Sequence, residues 1–275
     1  MGDKVFVVDV TKCTGCFNCF IACKDEFTDH SWLPYSEPQP ETHHYWLKVD
    51  EVERGQFPRV KLSFIAQPCQ HCGDPRCIKA SRNGAVFKRK DGLVMIDPIK
   101  SKGQRKIVGA CPYQRIYWNN ELNIPQKCTG CAHLLDDGWD VPRCVDACPT
   151  EAILFGDRNK LARLIKKAEQ LHPEYRTRPN VYYLGVPKTF VAGSVYCGES
   201  QECLENARVT LSHRTRKKPT TIKTNNYGDF EFEGLEGSKT YSLKIEARGY
   251  YPLSIHDIKA ENSMTLENIY LQKRI

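Results

Sequence analysis

Cysteine is the residue type in this 275-residue chain that most clearly could do chemistry. Fourteen cysteines are present, and twelve of them lie in short, regularly spaced runs before residue 150. A cysteine thiolate can be a nucleophile or a metal ligand, and paired thiols can form disulfides. Disulfide frameworks dominate in small secreted domains, and this chain is not small. Zinc sites favour paired Cys-x2-Cys units with intervening histidines, which is not the spacing found here. The runs therefore predict iron–sulfur clusters.

The outer two runs predict a pair of 4Fe–4S clusters. Residues 13–23 have the spacing Cys-x2-Cys-x2-Cys-x3-Cys of bacterial ferredoxin domains, in which the fourth cysteine ligates the other cluster of a pair. The mate is the run over residues 128–148, Cys-x2-Cys-x12-Cys-x3-Cys, which carries an insertion. Exchange of the fourth ligands gives a first cluster on Cys13, Cys16, Cys19 and Cys148. The second cluster is then bound by Cys128, Cys131, Cys144 and Cys23.

The inner runs predict one further cluster and one vacated site. The run over residues 69–77 supplies three cysteines, and Cys111, followed by proline, has the position of a fourth. The ligand positions without cysteine are Ser81, Ser101, Gln104 and Ile107, which by the exchange rule all belong to a single cluster. A third cluster therefore remains complete on Cys69, Cys72, Cys77 and Cys111. Serine oxygen can occasionally replace a thiolate, but isoleucine has no donor atom. The alternative is that the inner cysteines are ordinary buried apolar residues.

The formal charge of +7 does not predict a nucleic-acid partner. A 4Fe–4S core with four thiolates carries about −2, so three clusters would contribute roughly −6 and leave the assembled protein nearly neutral. The basic runs Lys88–Lys90 and Arg214–Lys218 are expected to be solvated loops, with partner docking as the alternative. No signal-like segment and no stretch of roughly 20 apolar residues is visible. A cytoplasmic protein without a membrane anchor is expected, although an exported partner could carry it.

The predicted fold class is α+β, with two nested ferredoxin-like 4Fe–4S units followed by a C-terminal antiparallel β-sandwich. The iron–sulfur domain is predicted over residues 1–187, with a helical or extended connector over 157–187, and the sandwich over 188–275. Periodicity predicts a helix from Asp157, as N-cap, to Leu171. Strands are predicted over 46–50, 60–65, 190–196, 208–211, 220–224, 229–232, 241–247 and 264–271, and a hairpin over 86–96 around Lys90-Asp91-Gly92.

Several other candidate ligands receive structural interpretations. His43, His44 and His71 lie in loops, and each is expected to be a surface or hydrogen-bonding residue. Cys197 and Cys203 are too few to hold a cubane cluster, so free structural cysteines are expected, with a local disulfide as the alternative. No Ser/His/Asp arrangement and no phosphate-binding glycine loop indicates a second reaction.

The nested arrangement of runs resembles the iron–sulfur subunit of molybdopterin oxidoreductases of the dimethyl sulfoxide reductase family. The resemblance covers residues 1 to about 187 and includes Cys-Gly-Asp-Pro-Arg-Cys at 72–77, Ala-Cys-Pro-Tyr at 110–113 and Cys-Pro-Thr-Glu-Ala-Ile at 148–153. Members of that family usually carry four clusters, and the site vacated here corresponds to the one farthest from molybdenum. Segments at 207–211, 226–230 and 246–250 are similar to transthyretin-like or carboxypeptidase-regulatory-like sandwiches.

The resemblance implies a non-catalytic electron-transfer subunit of a heterodimer, whose large partner binds the molybdopterin cofactor and the substrate. Three clusters with such a tail are similar to the transhydroxylases of that family, so hydroxyl transfer between polyhydroxylated benzenes is expected. The alternatives are an electron-transfer subunit of a respiratory molybdopterin reductase and a free polyferredoxin carrier.

Overall fold

A computed structural model describes residues 3–213, 218–236 and 239–274. The described residues are mostly β-structure with few and short helices. They divide into two compact units, of which the first comprises Met1–Val52 and Ser63–Val186. The second unit comprises Glu53–Leu62 and Pro187–Ile275. The boundary predicted at residue 187 places residues 53–62 in the first domain, but in the structure their contacts place them in the second unit.

The elements of the chain up to residue 186 are short. Its strands are β1 (Lys4–Asp9), β2 (Lys48–Gln56), β3 (Arg59–Gln67), β4 (Val86–Lys88), β5 (Val94–Ile96), β6 (Tyr117–Asn119), β7 (Ile124–Gln126), β8 (Ile153–Asp157) and β9 (Val181–Leu184). Its helices are α1 (Asn18–Phe27), α2 (Arg76–Ala80), α3 (Lys106–Gly109), α4 (Ala132–Asp136), α5 (Arg143–Asp146) and α6 (Ala162–Ile165), with a 3₁₀ turn at Pro173–Tyr175.

The strand β1 is the centre of the first unit. Its four apolar residues from Val5 to Val8 are all buried, as expected for a strand with neighbours on both edges and cover on both faces. It pairs antiparallel with β8 and parallel with β9. The chain leaves this rigid strand directly into the first cysteine run, so the sheet fixes where that run begins.

The predicted hairpin forms, but the predicted helix does not. The strand β4 pairs with β5 around the Lys90-Asp91-Gly92 turn, so the predicted hairpin is confirmed. The strands predicted over 46–50 and 60–65 correspond to β2 and β3, which pair with each other and extend beyond the predicted bounds. The helix predicted over 157–171 is wrong, because only the four residues of α6 are helical. Asp157 is not an N-cap: it ends β8, faces Lys4 in the ladder and pairs with its ammonium at 3.3 Å. Pairing with β1 takes the first residue of the predicted helix, and a bridge from Glu169 to Tyr183 of β9 takes its last turn, which leaves only α6 helical.

The second unit adds eight strands to the tip of the β2–β3 hairpin. They are β10 (Thr189–Cys197), β11 (Arg208–His213), β12 (Thr220–Lys223), β13 (Asp229–Leu235), β14 (Thr240–Glu246), β15 (Leu253–Lys259), β16 (Met264–Thr265) and β17 (Ile269–Leu271). One sheet has the order β12-β11-β14-β15, and in the other β10 lies between β13 and β16, with β17 also on β10. Apolar side chains of both sheets form one core.

The antiparallel prediction for this unit is correct only in part. All pairs of the β12-β11-β14-β15 sheet and the β10–β13 pair are antiparallel, whereas β16 and β17 run parallel to β10. The single strand predicted over 264–271 is broken between β16 and β17. Sequence reasoning missed β15, because most of its side chains are exposed and the alternation that signals a strand is weak.

Ion pairs explain why the hairpin tip groups with the second unit. Arg59 pairs with Asp229 and donates a hydrogen bond to Ser194 Oγ at 3.0 Å. Lys61 pairs with the carboxylates of Glu231 and Glu233 on the same strand, β13. The sequence of the hairpin carries no signal for these distant partners.

The remaining predictions outside the cysteine runs have mixed outcomes. Cys197 and Cys203 are both free, and Cys203 faces Tyr196 across the ladder, so the thiol of Cys197 points to the opposite face.

The Lys88–Lys90 run is not simply solvated, because Arg89 pairs with Asp91 and Asp136. Of the run Arg214–Lys218, residues 214–217 lie outside the described residues.

Burial in the core of the second unit predicts different stability effects for two Leu→Ala substitutions. Leu243 is 1% exposed, so Leu243→Ala should lower the free energy of unfolding by about 2–5 kcal/mol through lost burial and a residual cavity. The control Leu253→Ala removes a side chain that is 37% exposed and should change the free energy of unfolding by no more than about 0.5 kcal/mol. Denaturant unfolding followed by circular dichroism measures both, and equal effects would contradict the assignment of the core.

Candidate iron–sulfur sites

The first thiol set comprises Cys13 and Cys16 in the loop before α1, Cys19 in the first turn of α1, and Cys148, which follows α5. Cys13, Cys16, Cys19 and Cys148 line one cavity, walled by apolar residues that include Val8, Val49, Ala66 and Ile153. The loop turns at Gly15, which has a φ of +70°. A Cβ there would stand 2.6 Å from the ring of Phe64, so the loop closes only with glycine. Cys16 is exposed, and the set reaches the surface there.

Backbone donors in the first set point at sulfur. The N–H of Ala152 lies 3.2 Å from Cys148 Sγ. Burial acts to raise the pKa of the Cys148 thiol, but the N–H groups of Ile153, Ala152 and Thr150 lower it below its usual range. Burial and the neighbouring thiols raise the pKa of Cys19 to about 12. Donors that favour the charged sulfur are what a metal-bound thiolate requires.

The second thiol set is buried throughout. Cys128 and Cys131 raise the pKa of Cys23 on α1, and Cys23, Cys128 and Cys131 all raise the pKa of Cys144, so the four thiols lie near one another. The turn between Cys128 and Cys131 contains Gly130, with a φ of +66° and with Leu93 2.9 Å from where a Cβ would be. The Gly130 N–H lies 3.4 Å from Cys128 Sγ. Burial raises the pKa of all four thiols in this set.

The third thiol set lines one cavity with Cys69, Cys72, Cys77 and Cys111. Burial raises the pKa of Cys72 to about 12, opposed by the hydroxyl of Thr177, which also hydrogen-bonds Tyr113 at 2.8 Å. Burial raises the pKa of Cys77 to about 11, opposed by the charge of Lys127. The N–H of Arg115 lies 3.4 Å from Cys111 Sγ. The inner cysteines thus converge on a shared cavity with backbone donors around it.

The three sets follow one another in space. Cys19 of the first set influences the ionisation of Cys23 and Cys144 in the second. Cys69 of the third set raises the pKa of Cys128 in the second, with the largest influence after burial, so these two sets adjoin. The second set therefore lies between the other two, which is the arrangement expected for serial electron transfer.

The residues fit a four-thiolate cluster. The four thiols of the first set line one cavity, those of the third set line another, and the Sγ atoms of Cys148, Cys128 and Cys111 accept backbone N–H groups. Because burial holds most of these thiols in the neutral form, metal binding has to displace protons, as it does in other thiolate sites. In the described part of the chain, no three His, Cys, Asp or Glu side chains are placed to ligate one and the same metal ion, whereas in a 4Fe–4S cluster each thiolate ligates a different iron. The ligand assignment itself stays a prediction.

The predicted vacated site is filled by protein. Ile107 is completely buried in a small apolar cluster with Val86, Val94, Ile96 and Ile116. Ser101 is also buried, and Ser81 Oγ donates to Ile78 O at 2.8 Å. The amide of Gln104 makes three hydrogen bonds: it accepts from Arg82 N–H and donates to Arg82 O and Lys100 O.

Two residues near the thiols were not identified as functional from the sequence. His71 and Lys127 are buried beside Cys128, and burial, with the charges of Lys127 and Lys88, holds the pKa of His71 well below its usual range. His71 is hydrogen-bonded, as expected, but not on the surface. His44 is likewise buried, with Nε2 3.1 Å from Trp118 O, while His43 is exposed. The sequence signal for these two residues was their position in the cysteine runs: His71 lies between Cys69 and Cys72, and Lys127 immediately precedes Cys128.

The chain is similar to known proteins over most of its length. A family model described as a 4Fe–4S dicluster domain matches residues 60–158, and one described as a carboxypeptidase regulatory-like domain matches 191–272. The small subunit of pyrogallol hydroxytransferase from Pelobacter acidigallici is 37% identical over 90% of this chain and 92% of its own length. The iron–sulfur subunit of arsenate respiratory reductase from Shewanella sp. is 31% identical over 65% of this chain and 94% of its own. A tetrathionate reductase subunit from Salmonella typhimurium is 30% identical over 67% of this chain and 73% of its own.

The chain belongs to the iron–sulfur subunits of the dimethyl sulfoxide reductase family of molybdopterin oxidoreductases. As a member of these iron–sulfur subunits, it is an electron-transfer subunit of a multi-subunit enzyme. The match to the carboxypeptidase regulatory-like model agrees with the two-sheet second unit. None of the described helices combines the length and the apolar character needed to cross a lipid bilayer.

The thiol sets of this iron–sulfur subunit predict a selective loss of iron. Cys131→Ala removes a buried member of the second set and should lose about four irons together with thermal stability, because metal binding is part of folding here. The control Cys203→Ala removes an exposed thiol outside the sets and should retain all iron. Iron analysis and thermal melting measure both. A Cys131→Ala variant that keeps its iron and melts like wild type would exclude the assignment.

Proposed function

We propose that this chain is the electron-transfer subunit of a pyrogallol–phloroglucinol transhydroxylase, in which it carries three 4Fe–4S clusters. The large partner subunit would bind the molybdopterin cofactor and the substrate, and the complex would be a cytoplasmic heterodimer. Bound clusters would supply one-electron transfer, with potentials set by charge, hydrogen bonds to sulfur and exposure. The residues of this chain would hold the sulfurs, exclude water from the second set and direct N–H groups toward Cys148, Cys128 and Cys111.

The filled fourth position is the observation that carries this proposal. Ile107 has no atom that could ligate iron and is packed in an apolar cluster. The side-chain amide of Gln104 is hydrogen-bonded to backbone groups. A series of clusters that ends early does not suit an enzyme that delivers electrons to a distant acceptor. It suits an enzyme whose net reaction needs no continuous supply of electrons. Hydroxyl transfer between two polyhydroxylated benzenes is such a reaction, because one ring carbon is oxidised while another is reduced.

The similarity to a hydroxytransferase subunit gives independent support. That relative and this chain align over 90% of this chain, which includes both units, whereas the arsenate reductase relative aligns with 65% of it. A respiratory reductase subunit is the second candidate, favoured by the arsenate and tetrathionate reductase relatives. The proposed ferredoxin-like character of the first unit, with two nested pairs of cysteine runs, is common to both candidates.

The number of clusters follows from the three thiol sets. Anaerobically purified protein should contain about twelve irons and twelve acid-labile sulfides per chain, because each 4Fe–4S cluster needs four cysteine ligands. Iron and sulfide analysis against protein concentration measures this. Sixteen irons would contradict the vacated site and, with it, the argument from a series of clusters that ends early.

The reaction is tested with the purified two-subunit complex. Pyrogallol should be converted in the presence of a catalytic amount of tetrahydroxybenzene, with no dye or quinol added, because the net transfer consumes no electrons. Product formation is followed by chromatography. The control omits the tetrahydroxybenzene. If turnover requires an artificial donor or acceptor in one-for-one amounts with product, the complex is a respiratory reductase instead.

A further inference from the structure

The junction between the second and third thiol sets contains a buried cation. Lys127 is 3% exposed, immediately precedes Cys128 of the second set and lines the cavity of the third set. Its ammonium donates to the carbonyls of Val94 and Cys128, the latter at 2.8 Å. Within the described residues, no carboxylate lies at ion-pair distance from Lys127 Nζ. A buried charge is costly unless an opposite charge compensates it. The compensating charges available here are those of the two adjoining sets.

The side chain of His71 directs an N–H toward the same junction between the second and third sets. His71 is 1% exposed, and its Nδ1 accepts the N–H of Val94 at 3.0 Å. A ring nitrogen that accepts a hydrogen bond carries no proton, so the ring is neutral and its single proton is on Nε2. Nε2 lies 3.8 Å from Cys128 Sγ, so the ring donates an N–H to this sulfur.

The sulfur of Cys128 has a second donor. Besides His71, it accepts the N–H of Gly130 at 3.4 Å. Because Cys148 of the first set also accepts an N–H, from Ala152, the feature that distinguishes the second and third sets from the first is the buried charge of Lys127. Hydrogen bonds to sulfur and nearby positive charge stabilise the more negative, reduced state of a cluster, so they raise its reduction potential.

We propose that Lys127 and His71 are positioning residues that raise the reduction potentials of the second and third clusters above that of the first. The inference rests on the proposed three-cluster function and deepens it. An electron that enters through the exposed first set would come to rest at the buried junction and be held there. Such a store suits an enzyme that needs an electron only to return its molybdenum to the active state. The charge of Lys127 acts on both clusters, whereas the N–H of His71 acts on the second alone.

The test is a redox titration of the holo-complex followed by electron paramagnetic resonance. Lys127→Met removes the charge at similar volume and should lower two of the three midpoint potentials. We expect about a tenfold change in each reduction equilibrium, which for one electron corresponds to about 59 mV. The control Lys79→Met removes an exposed lysine on α2, two residues from Cys77, whose charge is screened by water. It should leave all three potentials unchanged.

A second variant separates charge from packing. Lys127→Gln keeps a donor for the backbone carbonyls without the charge, and it should shift the same two potentials while twelve irons are retained. Unchanged potentials, an equal shift of all three, or loss of iron in both variants would overturn the inference, the last because Lys127 would then be purely structural. The wild-type iron count tests the proposed function separately, since it does not depend on these variants.

Discussion

The gathering of sulfur from distant parts of the chain is the constraint on which the first unit depends. Cys148 shares a cavity with the cysteines of residues 13–19, and Cys23 lies near cysteines of the run that begins at residue 128. The helices that carry these cysteines, apart from α1, have only four or five residues. Isolated helices of that length are not stable, so tertiary contacts have to hold them. Six of the cysteines are themselves members of the main apolar core. Clusters on these sulfurs would cross-link the fold as well as carry electrons.

The same constraint makes folding and metal binding one process. Burial raises the pKa of the thiols at Cys23 and Cys144 far above its usual range, so a metal-free unit buries them uncharged. Iron binding has to remove those protons, and cluster assembly therefore becomes less favourable as the pH falls. The backbone donors act in the opposite direction to burial. At Cys148 they outweigh it, which leaves that thiol with a lowered pKa near the surface.

Sequence reasoning identified what depends on local spacing and missed what depends on distant pairing. The structure brings together the thiol sets that the exchange rule grouped, because the cysteine spacing on each tight loop determines which sulfurs can share a cavity. The helix expected over 157–171 is limited to α6 because distant strands hold both ends of that segment: Asp157 pairs with Lys4 of β1, and Glu169 pairs with Tyr183 of β9. The roles suggested for His71 and Lys127 depend on Val94, which neither residue neighbours in the sequence. No local pattern contains such contacts.

The filled fourth site explains how one cluster can be absent without a gap in the unit. A bound cluster would join the stretch around Ser81 to the stretch around residues 101–107. Here Gln104 makes that connection, through two hydrogen bonds to Arg82, each worth about 0.5–1.5 kcal/mol. Ile107 adds apolar burial beside the third set, where a fourth cluster would have added charge. Because isoleucine fills the position that sulfur would need, one restored cysteine would not rebuild the site. The series of thiol sets therefore ends at the third, next to Lys127, and that is where its most strongly stabilised electron should lie.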